Sequence, residues 1–131
     1  MRKAILPMVL AITSGSAAAE WVQMASAETH NAYADPATIH RKENRVKMWR
    51  VVDYKTATIP PGGKRFSHMS TKSREEYDCE EDRTRILSLS WHSKSMGRGN
   101  IVYSSSKPGQ WEPINSESIQ HTLFKLACRN P

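Results

Sequence analysis

Five histidines, two cysteines and a run of acidic residues are the side chains most able to do chemistry in this sequence. The histidines are scattered along the chain: His30, His40, His68, His92 and His121. No two of them have the close spacing of a zinc site. The acids between Glu75 and Asp82 lack the glycine and the ligand spacing of a calcium loop. We therefore expect no metal site and no cofactor.

Patterns that signal catalysis are also missing. The sequence contains no G-x-S-x-G nucleophile elbow and no phosphate-binding loop. A small basic protein with histidines and glutamates can be a ribonuclease that uses one group as base and another as acid. Nothing in the sequence brings two such groups together. We expect no catalytic residues and a protein that is not an enzyme, with a secreted hydrolase as a further alternative.

The N-terminus has the layout of a secretory signal peptide. Two basic residues precede the apolar run Ala4–Ile12, and Ala17 and Ala19 stand in the A-x-A positions. The run is shorter than the roughly 20 residues of a transmembrane helix. We predict a signal peptide at residues 1–19, a single domain at residues 20–131 and no transmembrane segment in the mature chain. No cysteine lies near the predicted cleavage site, so we expect no lipid anchor.

The charge of the predicted mature chain is moderately positive. The full sequence carries 19 basic and 13 acidic residues, and loss of the signal peptide leaves 17 basic residues and a net charge of +4. Such a charge favours anionic partners, among them glycans, lipid head groups and acidic protein surfaces. Ordinary solubilising charge is the alternative. Nucleic acid is not expected as a partner, because export separates the protein from it.

Export also sets the redox context of the two cysteines. Two cysteines in an exported chain most simply form one disulfide, here between Cys79 and Cys128. The bond would close a loop of about 50 residues and stabilise the fold by about 4 kcal/mol in the chain-entropy model. A cross-link explains why Cys79 lies among acidic residues rather than apolar ones.

Alternation of apolar and polar residues predicts several β-strands. The candidates are Glu20–Ser26, His30–Asp35, Thr38–Lys42, Arg45–Tyr54, Arg85–Trp91 and Ile101–Ser106, and Arg74–Trp91 is predicted to form a hairpin. The segment Arg45–Tyr54 is apolar on both faces, which indicates a central strand. The tail Asn115–Asn130 predicts a helix with Ser116 as N-cap. Its apolar stripe is Ile119, Leu123, Leu126 and Ala127.

These elements predict an α+β fold: an antiparallel sheet of about five or six strands with a C-terminal helix, disulfide-linked to the sheet. The residues of Arg74–Trp91 that are expected on one sheet face all have odd numbers. A loop with an odd number of residues keeps them on the same face, so we predict a hairpin with residues 81–83 as its loop. That alignment sets two facing pairs, Tyr77 with Leu87 and Cys79 with Arg85. It also points three acidic side chains to solvent: Glu76, Asp78 and Glu80.

Basic residues are the main candidates for binding. One cluster contains Arg41, Lys42, Arg45 and Lys47, and Lys72 and Arg74 form a second group on one strand face. Such clusters hold sulfated glycans, lipopolysaccharide phosphates or acidic proteins. The alternative is a lysine-rich sheet edge that prevents aggregation. Among the tryptophans, Trp49 and Trp91 are expected in the core, and Trp111 is the one to test for exposure and binding.

The ordered set of motifs resembles the surface-adhesin protein E family. The motifs are DYK (53–55), KSREEYDC (72–79), RILSLSW (85–91), MGRGNIVYS (96–104), WEPI (111–114) and SIQHTLFKLAC (118–128). The resemblance covers nearly the whole mature chain. It implies small exported proteins of Gram-negative bacteria, with a mostly antiparallel sheet and a C-terminal helix docked through the disulfide. It also implies a surface adhesin that binds host extracellular-matrix and plasma proteins.

The first hypothesis is therefore an exported, non-enzymatic, adhesin-like protein that binds through a partly basic sheet surface. Its partners would be matrix or plasma proteins, sulfated glycans or lipopolysaccharide. The expected lack of an anchor cysteine departs from the adhesin picture and leaves the product in the periplasm unless another route carries it out. A periplasmic accessory or ligand-binding module is the second hypothesis.

Overall fold

The computed structural model describes residues 19–129, which form eight strands and one α-helix. The elements are β1 (Val22–Ser26), β2 (His30–Ala34), β3 (His40–Lys42), β4 (Arg45–Thr58), β5 (His68–Asp78), β6 (Arg83–His92), β7 (Ile101–Ser105), β8 (Glu112–Pro113) and α1 (Ile119–Arg129). The predicted signal peptide lies outside the described residues, apart from Ala19.

All eight strands join one antiparallel sheet. The main path runs β1-β2-β4-β5-β6-β7, while β3 pairs with β4 and β8 pairs with β6. The six strands of this path match the predicted number, and the predicted α+β class is confirmed. The two additional strands are short: β3 has three residues and β8 has two.

Strand β4 lies at the centre of the sheet, as its sequence predicts. It pairs with β5 on one side and with β3 and then β2 on the other. Its apolar residues alternate between one face, where Val46 and Met48 are fully buried, and the other face, where Val51 is fully buried and Trp49 is half-buried. A strand covered on both sides in this way can be apolar on both faces.

The hydrophobic core lies between one face of the sheet and α1. Its fully buried members come from β2, β4, β5 and α1: Ala34, Val46, Met48, Tyr77, Leu123 and Ala127. The predicted helical stripe is confirmed, since Leu123 and Ala127 are buried and Ile119 and Leu126 pack against this core.

The predicted disulfide is confirmed. Cys79 and Cys128 are bonded, with their Cα atoms 5.7 Å apart. Cys79 follows the last residue of β5, and its amide donates to the carbonyl of Asn44 at 2.8 Å. Cys128 lies in the last turn of α1. The bond therefore holds the end of the helix against the β5–β6 turn.

The start of the helix differs from the prediction. Ser116 is not the N-cap, because α1 begins at Ile119. The Ser118 hydroxyl instead accepts a hydrogen bond from the backbone N–H of His121 at 3.2 Å. A preceding turn at Asn115, whose carbonyl accepts from the Ser118 hydroxyl at 2.7 Å, sets this position. Ser118 thus satisfies one of the free N–H groups of the first turn.

The predicted hairpin register is wrong. Tyr77 pairs with Thr84, not with Leu87, and Cys79 lies in a four-residue turn, residues 79–82, rather than opposite Arg85. The physical reason is a β-bulge, because Arg74 pairs with Ser88 and the next residue pairs with Ile86. Leu87 is the extra residue, so the parity of facing residues changes halfway along the hairpin.

Candidate functional site

The sheet face turned away from α1 is built from regular cross-strand rows on β4, β5 and β6. Paired residues on neighbouring strands share a face. The register gives five rows, from one end to the other: Arg45–Asp78–Arg83, Lys47–Glu76–Arg85, Trp49–Arg74–Ser88, Val51–Lys72–Ser90 and Asp53–Ser70–His92. The alternate residues Val46, Met48 and Tyr77 face α1. We call the side that carries the five rows the open face.

Two acidic residues predicted to point to solvent are buried on the open face. Asp78 is 4% exposed and Glu76 is 6% exposed, whereas Glu80 is exposed as expected. The Arg83 Nε atom lies 3.0 Å from Asp78 Oδ2, and the Arg85 Nε atom lies 2.8 Å from Glu76 Oε1. The prediction failed because it placed these arginines in the loop or on the opposite face. In the structure they cover the carboxylates.

Asp78 also closes the turn that follows β5. One of its carboxylate oxygens accepts the backbone N–H groups of Glu80 and Glu81 at 3.2 and 3.1 Å. Burial by itself raises the pKa of the Asp78 carboxyl. The hydrogen bonds from Glu81, Arg83 and Glu80 outweigh burial and, with the Arg83 charge, hold that pKa below its ordinary value of 3.8.

Trp111 lies among three guanidinium groups at the same end of the open face. The ring centroid of Trp111 is 4.8 Å from Arg45 Cζ, 4.7 Å from Arg83 Cζ and 4.6 Å from Arg85 Cζ. The indole is half-buried rather than exposed. Cation–π contact of this kind is strongest with tryptophan. We call Arg45, Arg83, Arg85, Glu76, Asp78 and Trp111 the arginine cluster.

A second set of cations crosses the open face without carboxylate partners. Its members are Lys42, Lys47, Arg74 and Lys72, which we call the basic stripe. Lys42 belongs to this face because it pairs with Arg45 across the β3–β4 hairpin. Within residues 19–129, no member of the stripe forms an ion pair. The Lys72 ammonium lies 5.2 Å from the ring centroid of Trp49.

The structure brings together most of the predicted binding residues and separates one. Lys42, Arg45, Lys47, Lys72, Arg74 and Trp111 all lie on the open face. Arg41 lies on the other side of β3, since it pairs with the buried Val46, and its Nη1 atom is 4.0 Å from Cys79 Sγ. Sequence reasoning missed Arg83 and Arg85. The sequence did contain a signal for them: a spacing of two residues at the start of β6 places both arginines on the same face of the strand.

Two tryptophans expected in the core lie outside it. Trp49 is half-buried on the open face. Trp91 is also half-buried, between His68, stacked at 4.4 Å, and Tyr103 at 4.6 Å. Both strands alternate as predicted. Trp49 lies on the sheet face turned away from α1. Trp91 shares the α1 side with its paired residue Thr71 but lies outside the core that the helix covers.

A polar cleft adjoins the basic stripe beside β3. Its volume is about 470 Å³, and every residue that lines it is polar or charged. Three cations line it together with four carboxylates: Lys42, Arg45, Lys47, Glu43, Glu76, Asp78 and Glu80. Sites for small drug-like ligands are mainly apolar, so this cleft suits a charged ligand. In the described part of the chain, no group of three or more potential His, Cys, Asp or Glu ligands could hold a metal ion.

His92 lies at the opposite end of the open face from the arginine cluster. It is buried, and its Nε2 atom lies 2.7 Å from the Ser90 hydroxyl oxygen. Its Nδ1 atom is buried and has no hydrogen-bond partner among residues 19–129. Burial and, second, the Lys72 charge lower the pKa of the His92 imidazole below 6.5. A catalytic Ser–His pair has a third group that orients the imidazole, and in the described part of the chain no side chain bonds His92 Nδ1 in that way.

The features above define a class: a small α+β domain in which one helix is disulfide-linked to an antiparallel sheet and the opposite sheet face is charged. The family profile described as "Surface-adhesin protein E" matches residues 21–129, so the chain belongs to that family. Within residues 19–129 no helix has the length and apolarity needed to span a bilayer.

Solved structures agree with the fold. Crystal form II of Haemophilus influenzae protein E is similar with a TM-score of 0.60 at 12% identity, covering 83% of this chain and 97% of the other. A further structure of H. influenzae protein E gives a TM-score of 0.60 at 13% identity, covering 84% and 94%. Protein E from non-typeable H. influenzae gives 0.55 at 14% identity, covering 86% of each chain. At these identities the likeness establishes the fold alone. No curated protein matches the chain.

Proposed function

We propose that this chain is an exported, non-enzymatic, adhesin-like protein that binds acidic host macromolecules through its open face. The observation that carries the proposal is the basic stripe, whose four cations have no ion-pair partner within residues 19–129. Membership of the surface-adhesin protein E family supports the adhesive role. The partners would be extracellular-matrix or plasma proteins, or the anionic glycans that accompany them.

The open face suits recognition better than the side covered by α1. On the α1 side the central apolar residues are buried in the core, and partly buried ones such as Phe124 and Leu126 pack around them. On the open face the stripe cations are at most half-buried. Uncompensated surface charge of one sign attracts an oppositely charged partner and sets the orientation in which it docks. Charge is therefore the property of this face that a partner would recognise.

Solid-phase binding tests the proposal. Oxidised protein comprising residues 20–131 is applied to immobilised laminin, vitronectin, heparin and lipopolysaccharide. We expect saturable binding to at least one of these ligands, weakened by added salt because exposed charges are screened. Folded protein that binds none of them contradicts the proposal.

Cell fractionation tests the location. We propose that the signal peptide at residues 1–19 is removed and that the mature domain reaches the cell surface, where antibodies label it on intact cells. The alternative is a periplasmic accessory or ligand-binding module. For that function, antibodies and protease would reach the protein only after the outer membrane is opened.

A further inference from the structure

The two charged regions of the open face differ in how their cations are compensated. In the arginine cluster three guanidinium groups share two buried carboxylates, and all three also contact Trp111. In the basic stripe no carboxylate pairs with any of the four cations within residues 19–129. A new anionic ligand at the arginine cluster must compete with existing carboxylates. At the stripe no cation is already held in an ion pair within residues 19–129, and the carboxylates of the adjoining cleft are not bonded to the stripe.

The stripe is also a line rather than a cluster. Lys42, Lys47 and Arg74 lie on β3, β4 and β5, and each is one strand and one row further along than the one before. Rows on one face are about 7 Å apart and strands are about 4.8 Å apart, so each diagonal step is roughly 8 Å. Lys72 continues the line by one row on β5, a step of about 7 Å.

We infer that the basic stripe is a track for a linear polyanion, specifically a polysaccharide that carries sulfate or carboxylate groups along its chain. This inference rests on the proposed function and names its ligand class and residues. A single small anion would use one or two of the four cations. A chain with anionic groups at regular intervals reaches all four, and release of its counterions adds to the affinity.

Trp49 favours a saccharide over a simple ionic polymer. Its indole lies in the same row as Arg74 and is half-buried, with the Lys72 ammonium 5.2 Å from the ring centroid, so the part of the ring that stays accessible borders the stripe. The face of an aromatic ring is electronegative and attracts the partly positive C–H groups of a ligand. A sugar ring offers such C–H groups between its charged substituents, whereas an inorganic anion offers none.

Calorimetric titration with a heparin octasaccharide tests the track. The stripe variant carries Lys42→Gln, Lys47→Gln, Lys72→Gln and Arg74→Gln. The matched control carries Lys64→Gln, Lys107→Gln, Lys125→Gln and Arg129→Gln, which remove the same charge from exposed positions outside the stripe. Circular dichroism and thermal unfolding confirm that both variants are folded.

Four charged contacts predict that the affinity of the wild-type protein falls about 100-fold when salt is raised from about 50 to 200 mM. At the lower salt concentration, the stripe variant should bind at least about tenfold more weakly and show a much smaller salt dependence. The control should stay within about twofold of wild type. Inorganic sulfate, at the same total sulfate concentration, should not compete.

Three outcomes overturn the inference. They are equal binding by the stripe variant and the control, full competition by inorganic sulfate, and no octasaccharide binding by the wild-type protein. The last outcome, combined with retained binding to laminin or vitronectin, leaves the proposed function intact and removes only the polysaccharide track. Loss of binding to every ligand removes both.

Discussion

The two faces of the sheet bury carboxylates in different ways. On the α1 side Glu75 is fully buried and accepts hydrogen bonds from the Tyr77 hydroxyl at 2.7 Å and Gln120 Nε2 at 2.6 Å. Arg50 completes this site, with Nε 3.3 Å from Glu75 Oε1. On the open face Asp78 and Glu76 are paired with arginine side chains, which in turn contact Trp111.

This difference indicates that the Glu75 site stabilises the fold, whereas the open face keeps cations available for binding. Beneath α1 each partner of Glu75 is held by the core or the helix, so this charged group belongs to the folded framework. Burial and, second, the Glu75 charge raise the pKa of the Tyr77 hydroxyl well above 10.0, which keeps it a hydrogen-bond donor. On the open face the carboxylates occupy three arginines and leave the stripe cations for a ligand.

Removal of the disulfide should have the largest effect on stability. The cross-link joins residues 49 apart in sequence, and the chain-entropy model predicts a loss of roughly 4 kcal/mol for Cys79→Ser with Cys128→Ser. Urea unfolding measures the free energy of unfolding. Binding per folded molecule should not change, because the bond lies between the β5–β6 turn and α1. A loss of binding by molecules shown to be folded would contradict the separation of the two faces.

Glu75→Gln should have the next largest effect. The substitution keeps the size of the side chain but leaves Arg50 without its buried carboxylate, which is expected to cost about 3 kcal/mol. Denaturant unfolding gives the value, and Glu80→Gln is the control, since Glu80 is exposed and should change stability by less than about 0.5 kcal/mol. Similar costs for the two variants would show that Glu75 is not part of the framework.

The sequence predicted most of the fold because the relevant signals are local. Alternation marked most of the strands, apolar residues on both faces marked central β4, and the stripe of Leu123 and Ala127 marked the buried face of α1. The short strand β8 and the start of β5 were not predicted. The disulfide followed from counting cysteines in a chain predicted to be exported. Each of these predictions needs only neighbouring residues or composition, and the structure confirms them.

The hairpin register and the site could not be predicted in the same way. A bulge at Leu87 shifts the register by one residue, and a shift of one residue moves side chains to the other face. Asp78 and Glu76 were therefore expected in solvent. Their burial also depends on Trp111, which reaches the arginines through the pairing of β8 with the start of β6. Such contacts between distant segments leave no periodic signal in the sequence.

Trp111→Ala tests whether the arginine cluster contributes to the stability of the folded protein. The loss of the ring removes contacts with three guanidinium groups and exposes their ion pairs to water, at an expected cost of about 1–2 kcal/mol. Thermal unfolding measures it. Tyr103→Ala is the control, since Tyr103 is 43% exposed at the edge strand β7. If the two substitutions cost the same, the arginine cluster adds nothing beyond ordinary surface packing.

Acid should destabilise the other end of the open face through His92. Because burial and Lys72 lower the pKa of His92 in the folded protein, the unfolded chain binds a proton more readily. Stability from this group is complete above pH 6.5, the ordinary value, and falls as the pH drops below it. The loss is at most about 1.4 kcal/mol per pH unit. Urea unfolding between pH 7.5 and 5 should show a flatter profile for His92→Gln, and an unchanged profile would contradict this assignment.

The smallest effect is expected for Lys47→Gln, and one row of the sheet supplies its control. Lys47, Glu76 and Arg85 are neighbours in that row, yet only Arg85 is ion-paired with the buried carboxylate. Arg85→Gln leaves the Glu76 charge without its ion-pair partner and should cost about 2 kcal/mol of stability. Lys47→Gln should change stability by less than about 0.5 kcal/mol but weaken ligand binding. Equal losses of stability in the two variants would mean that Lys47 stabilises the fold as Arg85 does. The division of the open face into an arginine cluster for stability and a basic stripe for binding would then be wrong at this row.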